Sequence, residues 1–266
     1  PRPRGMKRIF VEQFGADPVL LQDIGMEMKG LEVSEYMTKE SLAQQGGYAL
    51  SSKGAQHDEA WLIFMELVHK QLNTFEQKAE ALHYFPMWRT WFALHGLCKL
   101  PWNDIIPVSN KTAKEPQKVP EHVENYCWLY EGVTGVPVTI DDLILQSERV
   151  YNFQRVFNLR LGRGKREDDY PPYRAMGPVT AIEYESRTER YDKELRELIG
   201  LDPDTMTTAE KMAAVRKYRE DRYETLVDSV YARRGWNKDG VPTVETLLKL
   251  GVDFPEVLEL VRKNGG

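Results

Sequence analysis

Two short stretches hold the residues best suited to chemistry: Leu94-His95-Gly96-Leu97-Cys98-Lys99 and, upstream, Lys53-Gly54-Ala55-Gln56-His57. A thiolate is a soft metal ligand, an imidazole exchanges a proton near neutral pH, and a lysine ammonium attracts anions such as phosphate. Taken alone, Cys98 reads first as a small apolar core residue and second as a metal ligand. Gly96 supports the second reading, because a sharp turn there exposes the sulfur and nearby backbone amides, which stabilise the negative charge of a cluster. One cysteine cannot hold a [4Fe–4S] cube, which takes about four thiolates. The other cysteine, Cys127, sits among Tyr126, Trp128 and Tyr130 and reads as core. His57 precedes Asp58 and Glu59, and its plain reading is a helix start with carboxylates near the positive end of the dipole.

Other polar groups are weaker candidates. His95 lies three residues before Cys98 and is placed to hydrogen-bond near a cluster; His69 and His83 fall in helical runs and His122 opens one. No His pair has zinc spacing, and there is no Cys-x-x-Cys, P-loop or dinucleotide fingerprint, which removes most common enzyme classes from what this chain does alone. Arg160, Arg163, Lys165 and Arg166 form the strongest basic cluster. It reads as a solvated loop half-neutralised by Glu167, Asp168 and Asp169, with capture of phosphates from a coenzyme A tail or a pterin as the functional alternative.

The elements that position these residues are mainly helical. Residues 1–56 are punctuated by glycines and predict irregular structure with one or two short helices. Apolar spacing predicts a buried helix over 58–72 and a second over 76–98, rich in Trp88, Trp91 and Phe92, with a kink or break at Pro86. Four prolines over 101–120 predict a surface loop, and 162–178 a charged one. Thr139 with Asp142 opens a helix to Leu161 whose stripe is Leu143, Val150, Phe153 and Phe157. Thr180 with Glu183, and Thr207 with Glu210, predict further capped helices of roughly 20 and 25 residues. Two short helices near 243–250 and 255–263 close the chain, and no alternating strand stands out.

Composition sets the frame. Hydrophobic residues at 41% and charged residues at 29% are ordinary for a globular protein, and a net charge of −5 argues against a general nucleic-acid binder. Two cysteines make no disulfide scaffold, which fits a reducing, cytoplasmic setting, and no transmembrane segment or signal peptide is visible. Pro1-Arg2-Pro3-Arg4 lacks an initiator Met and reads as the interior of a longer enzyme, or as a processed or tagged terminus.

Four ordered blocks resemble the tungsten-pterin aldehyde ferredoxin oxidoreductase family. They are Gly25-Met26-Glu27 through Tyr36, Gln45-Gly46-Gly47-Tyr48 leading to Lys53-Gly54-x-x-His57, Tyr151-Asn152-x-x-Arg155-x-Phe157-Asn158-Leu159-Arg160, and Arg234-Gly235-Trp236 to Thr243. The sequence departs from the family where its Asp-x-x-Gly-Leu-Cys motif begins, which is Ala93 here. Lys53 replaces the usual Arg and Glu59 a usual basic residue. The stretches Lys53 to Trp61 and Leu94 to Trp102 look most like a divergent branch, the active-site subunits of tungsten-dependent (class II) benzoyl-CoA reductases.

The resemblance implies a mainly α chain: the helical C-terminal part of such a subunit, with the pterin-binding β domain on the preceding polypeptide. Residues 1–56 would be an irregular cofactor-facing segment packed on that missing part, and 57–266 the helical domain. The implied cofactors are a tungsten bis-pyranopterin (tungstopterin) and a [4Fe–4S] cluster, with Mg2+ as a candidate bridge between pterin phosphates. Cys98 would be the cluster's last ligand, Lys53, Leu97 and Lys99 would lie against a pterin, and His57 would stand near the metal as the catalytic candidate. The implied reaction reduces benzoyl-CoA to cyclohexa-1,5-diene-1-carbonyl-CoA, in a hetero-oligomer with the subunit's N-terminal remainder, an iron-sulfur electron-transfer subunit and an aromatic acyl-CoA substrate. The alternatives are a tungsten-dependent aldehyde:ferredoxin oxidoreductase and, from another class, a cofactor-free helical interaction module.

Overall fold

The computed structural model describes residues 5–15, 25–34, 38–100 and 106–266. Residues 1–4, Tyr36, Met37, Pro101 and Trp102, on which parts of the sequence reading fall, lie outside them. Helix α1 (Gly5–Phe14) is followed by a minimal hairpin, β1 (Glu27–Met28) and β2 (Leu31–Glu32), turned by Lys29 and Gly30 at positive φ. Then come α2 (Leu42–Ala49), α3 (Phe75–Leu94), α4 (Pro120–Thr134), α5 (Ile140–Arg160), α6 (Ala181–Glu185), α7 (Thr188–Glu194), α8 (Thr208–Arg234), α9 (Val244–Leu250) and α10 (Pro255–Lys263). The chain is mainly α, as its patterning requires.

Helix α3 is the axis of the fold and packs on α2, α5 and α8. Its residues 85–92 form an unbroken buried run, so it is covered on every side rather than along one stripe. A capping box from Thr74 and Gln77 starts it. The helix does not break at Pro86 but continues through it. The proline has no N–H for the Leu82 carbonyl, and Arg234 of α8 donates to that carbonyl instead, at 2.9 Å.

Three other expectations fail. Residues 58–72 contain one π-helical turn (Phe64–Val68) in place of a buried helix. Buried Gln44 of α2 captures the backbone there: its Nε2 donates to the Ala60 carbonyl (2.9 Å), and its Oε1 accepts from the amides of Leu62 (2.6 Å) and Ile63 (2.9 Å). A side chain thus takes bonds that a helix would have made for itself. On α5 the buried face is Leu143, Ser147, Tyr151, Arg155 and Leu159, while Phe153 and Phe157 are exposed. The stretch begun by Thr180 breaks at Ser186–Arg187 and continues as α7 and a π turn, Leu195–Ile199. The capping boxes at Thr139 and Thr207 form as expected.

Inside this frame lies a fully buried ion cluster. Arg155 makes a two-pronged pair with Asp169 (3.0 and 2.6 Å), Lys29 reaches the same carboxylate at 2.7 Å, and the Tyr231 hydroxyl donates to it at 2.6 Å. Burial alone would raise the Asp169 pKa, but Arg155 and Lys29 hold it down at about 2.

Candidate functional site

The Lys53–His57 loop is fixed from behind through its backbone. Four consecutive carbonyls are taken by distant side chains: Lys29 donates to Ala49 and Ser51 (3.0 Å to the latter), Tyr151 to Leu50 (3.0 Å) and Asn158 to Ser52 (2.7 Å). Lys29 is the residue that Asp169 holds, so the buried ion cluster anchors this loop directly. The next residues turn at Gly54, whose φ of +115° and 2.7 Å clearance to Leu31 exclude a side chain.

The Cys98 segment is set by the end of α3. The Leu97 amide bonds the Phe92 carbonyl at 2.9 Å and Gly96 adopts φ +67°, a left-handed stop that turns the chain outward. Residues 93–98 are all exposed, Cys98 with them. Arg89, only 2% exposed, donates to the Lys99 carbonyl and ties the segment back to α3.

The two stretches meet at Asp58. Its Oδ2 accepts from Lys53 Nζ at 2.6 Å and from Lys99 Nζ at 3.1 Å, so residues 46 positions apart in the chain share one carboxylate oxygen. Burial would raise the Asp58 pKa, but the Lys53 hydrogen bond and the charges of Lys99 and Lys53 win and hold it below its ordinary value. His57 stands beside this triad. Its Nδ1 lies 3.2 Å from Ser34 Oγ, and its ring meets the edge of Trp61 at 4.4 Å. Burial, helped by Lys53 and Arg89 against Asp58, lowers its pKa below the ordinary imidazole value. The helix start expected after His57 is absent, so no helix dipole acts on it.

The structure brings together Lys53, His57 and Lys99 and places Leu97 and Cys98 beside Lys99 in an outward-facing segment. His95 is turned to its own helix, with Nδ1 2.8 Å from the Trp91 carbonyl. Cys127 is buried as expected. The basic cluster does not act as a unit: Arg166 is held by Glu224 and by Asp228 (2.5 Å). Sequence reading missed Asp58 as the link, and with it Ser34, Gln44 and Arg89. The available signal was an acidic residue between two lysine-bearing motifs, which the expected helix start explained away.

The donor set fits the implied cofactors in part-site form. Cys98 is an exposed cysteine, and no group of three or more metal-ligating side chains occurs among the described residues, so a metal cluster held at Cys98 would need further ligands. Lys53 and Lys99 offer two ammoniums against one carboxylate, a net positive edge suited to a pterin phosphate. Asp58 Oδ1 is buried without a hydrogen-bond partner among the described residues.

No curated protein matches the chain. A family model for aldehyde ferredoxin oxidoreductase, domains 2 and 3, matches residues 4–252, which is nearly the whole chain. With the helical fold and the convergence of its two motifs, that match places the chain in the aldehyde ferredoxin oxidoreductase family.

Proposed function

We propose that this chain is the helical C-terminal portion of a tungstopterin and [4Fe–4S] oxidoreductase subunit that reduces benzoyl-CoA to the cyclic dienoyl-CoA. The observation that carries this reading is the meeting at Asp58 of the two stretches that resemble the class II benzoyl-CoA reductases. Bound tungstopterin supplies the low-potential metal centre, and the cluster supplies its electrons.

The chain's own residues have three tasks. Cys98 gives one thiolate to the cluster. Lys53 and Lys99, spaced by Asp58, hold an anionic pterin phosphate, with Leu97 against its apolar side. His57, oriented by Ser34 and Trp61, holds or relays a proton near the reacting group. Trp61, which meets the imidazole edge-on, also stacks on Phe64 at 5.9 Å.

Family membership itself supports a second reading, an aldehyde oxidoreductase with the same cofactor. Ala93, Lys53 and Glu59 stand against it, because they replace residues the aldehyde enzymes use. The test is spectroscopic, on the native complex that contains this chain. An aromatic acyl-CoA is expected to bind and shift the tungsten electron paramagnetic resonance signal, while an aldehyde without coenzyme A leaves it unchanged. The reverse result would establish the second reading, and a folded, active complex without tungsten or molybdenum would end both.

A further inference from the structure

Helix α4 has one face committed to the core and another that no described residue covers. His122, Val123 and Cys127 are buried, and the Tyr126 ring meets Trp88, Trp91 and Phe92 of α3 at 5.2, 5.6 and 5.1 Å. Trp128 follows two positions later, about 200° around the helix, and so points away from α3. It is 65% exposed, and exposed Leu129, Val133 and Val136 carry the apolar surface past the end of the helix. A tryptophan left this bare forfeits the burial that its size makes most valuable, which is the mark of an interaction surface.

Charge and backbone single out what this face accepts. Between Lys118 and Arg149 the chain has six acidic residues and no lysine or arginine. Glu121, Glu124 and Glu131 are exposed, and their spacing of seven, four and three positions from Trp128 puts them on its side of the helix. None of the three has an ion-pair partner among the described residues. Gly132, one turn after Trp128, is exposed, and a side chain there would meet nothing within 4 Å. Glycine weakens a helix relative to alanine, and the chain's own packing gives no reason to have it here. Close approach of another molecule beside Trp128 does give one.

We propose that this face docks a second protein subunit through a basic patch, with an arginine of that subunit lying on the Trp128 indole between Glu124 and Glu131. A guanidinium is flat enough to stack on an indole while its N–H groups pair with carboxylates to either side, and Gly132 leaves room for its approach. A second copy of this chain meeting the face symmetrically would set the same carboxylates against each other, which like charge opposes. The face also turns away from α3, whose end leads into Cys98, so it is distinct from the surface where the cofactor site is completed. The assignment stands apart from the choice between an acyl-CoA and an aldehyde as substrate.

The test uses the native complex that contains this chain. A photo-reactive phenylalanine placed at Val133, which leaves Trp128 intact, should cross-link to a different polypeptide, at a stretch bearing arginine or lysine that mass spectrometry identifies. W128A should weaken the association at least about tenfold, read by dilution of the purified complex. E124Q with E131Q should weaken it at low salt and flatten its salt dependence. Tungsten, iron and melting temperature of the subunit should stay unchanged in both variants. A cross-link within the subunit or to a second copy overturns the proposal, as does equal affinity of W128A and wild type. A fall in melting temperature in W128A without release of a second polypeptide shows that the face is covered within the subunit, and overturns it too. So does a tungsten-replete native enzyme that contains no second kind of polypeptide.

Discussion

The Arg155–Asp169 cluster and the Lys53–Asp58–Lys99 triad are both cation–carboxylate assemblies, and they differ in completeness. Asp169 is wholly buried and each of its carboxylate oxygens is occupied, one by Arg155 and Lys29, the other by Arg155 and Tyr231. Even its backbone carbonyl accepts from the Tyr223 hydroxyl at 2.6 Å. Asp58 is part-exposed, uses one oxygen for two lysines, and leaves the other buried and unpaired. A buried charge with a full set of partners is architecture, since removing any one strands the others in a low dielectric. A charge cluster at the surface with spare capacity costs little to perturb and has room for a further group. The first cluster lies behind the second and holds its loop through Lys29.

Substitutions can break this contrast. The largest effect is expected for Asp169→Asn, which leaves Arg155 and Lys29 as buried cations without a counter-charge. Stability should fall by about 3–5 kcal/mol, measured by thermal unfolding of the whole subunit. Because the folded pKa is depressed from 3.8 to about 2, the wild-type stabilisation is present above the ordinary value and is lost as pH falls through that window. The variant should lack that acid-dependent loss, and a steep loss retained in Asp169→Asn would show that the cluster is not its source.

A smaller effect is expected for Tyr151→Phe, which removes the bond to the Leu50 carbonyl. About 1 kcal/mol of stability should go, and tungsten retention should drop because the Lys53 loop loses one of its anchors. Unchanged tungsten content would separate the buried frame from the site and weaken the comparison. The smallest stability effect belongs to Asp58→Asn, below about 1 kcal/mol for a part-exposed pair. Its signature should be loss of tungstopterin at nearly unchanged melting temperature. A stability loss as large as that of Asp169→Asn would erase the distinction between the two clusters.

The sequence made part of this arrangement legible. Capping boxes at Thr139 and Thr207 are local, so the residues that start those helices sit within four positions of each other. The Gly96 turn and the exposure of Cys98 follow from one glycine after an apolar helix. What failed was non-local. The helix expected over 58–72 lost its backbone bonds to Gln44, and the α5 stripe was misassigned because its inward face carries Tyr151 and Arg155. Polar residues of that kind look solvent-facing until their buried partners are known. Asp169 read as half of a loop's charge balance, although its partners lie at positions 29, 155 and 231.

The sequence by itself determined the helical class, most helix starts and stops, the family, and the two stretches that make up the candidate site. Each of these is written in neighbouring residues, through periodicity, caps and motif order. Only the tertiary structure decided that Asp58 joins the two stretches and that Lys29 carries the buried ion cluster to the site loop. The physical reason is that charge pairing and hydrogen bonding act over a few ångströms of space, and the separation of the partners along the chain leaves no local pattern to read.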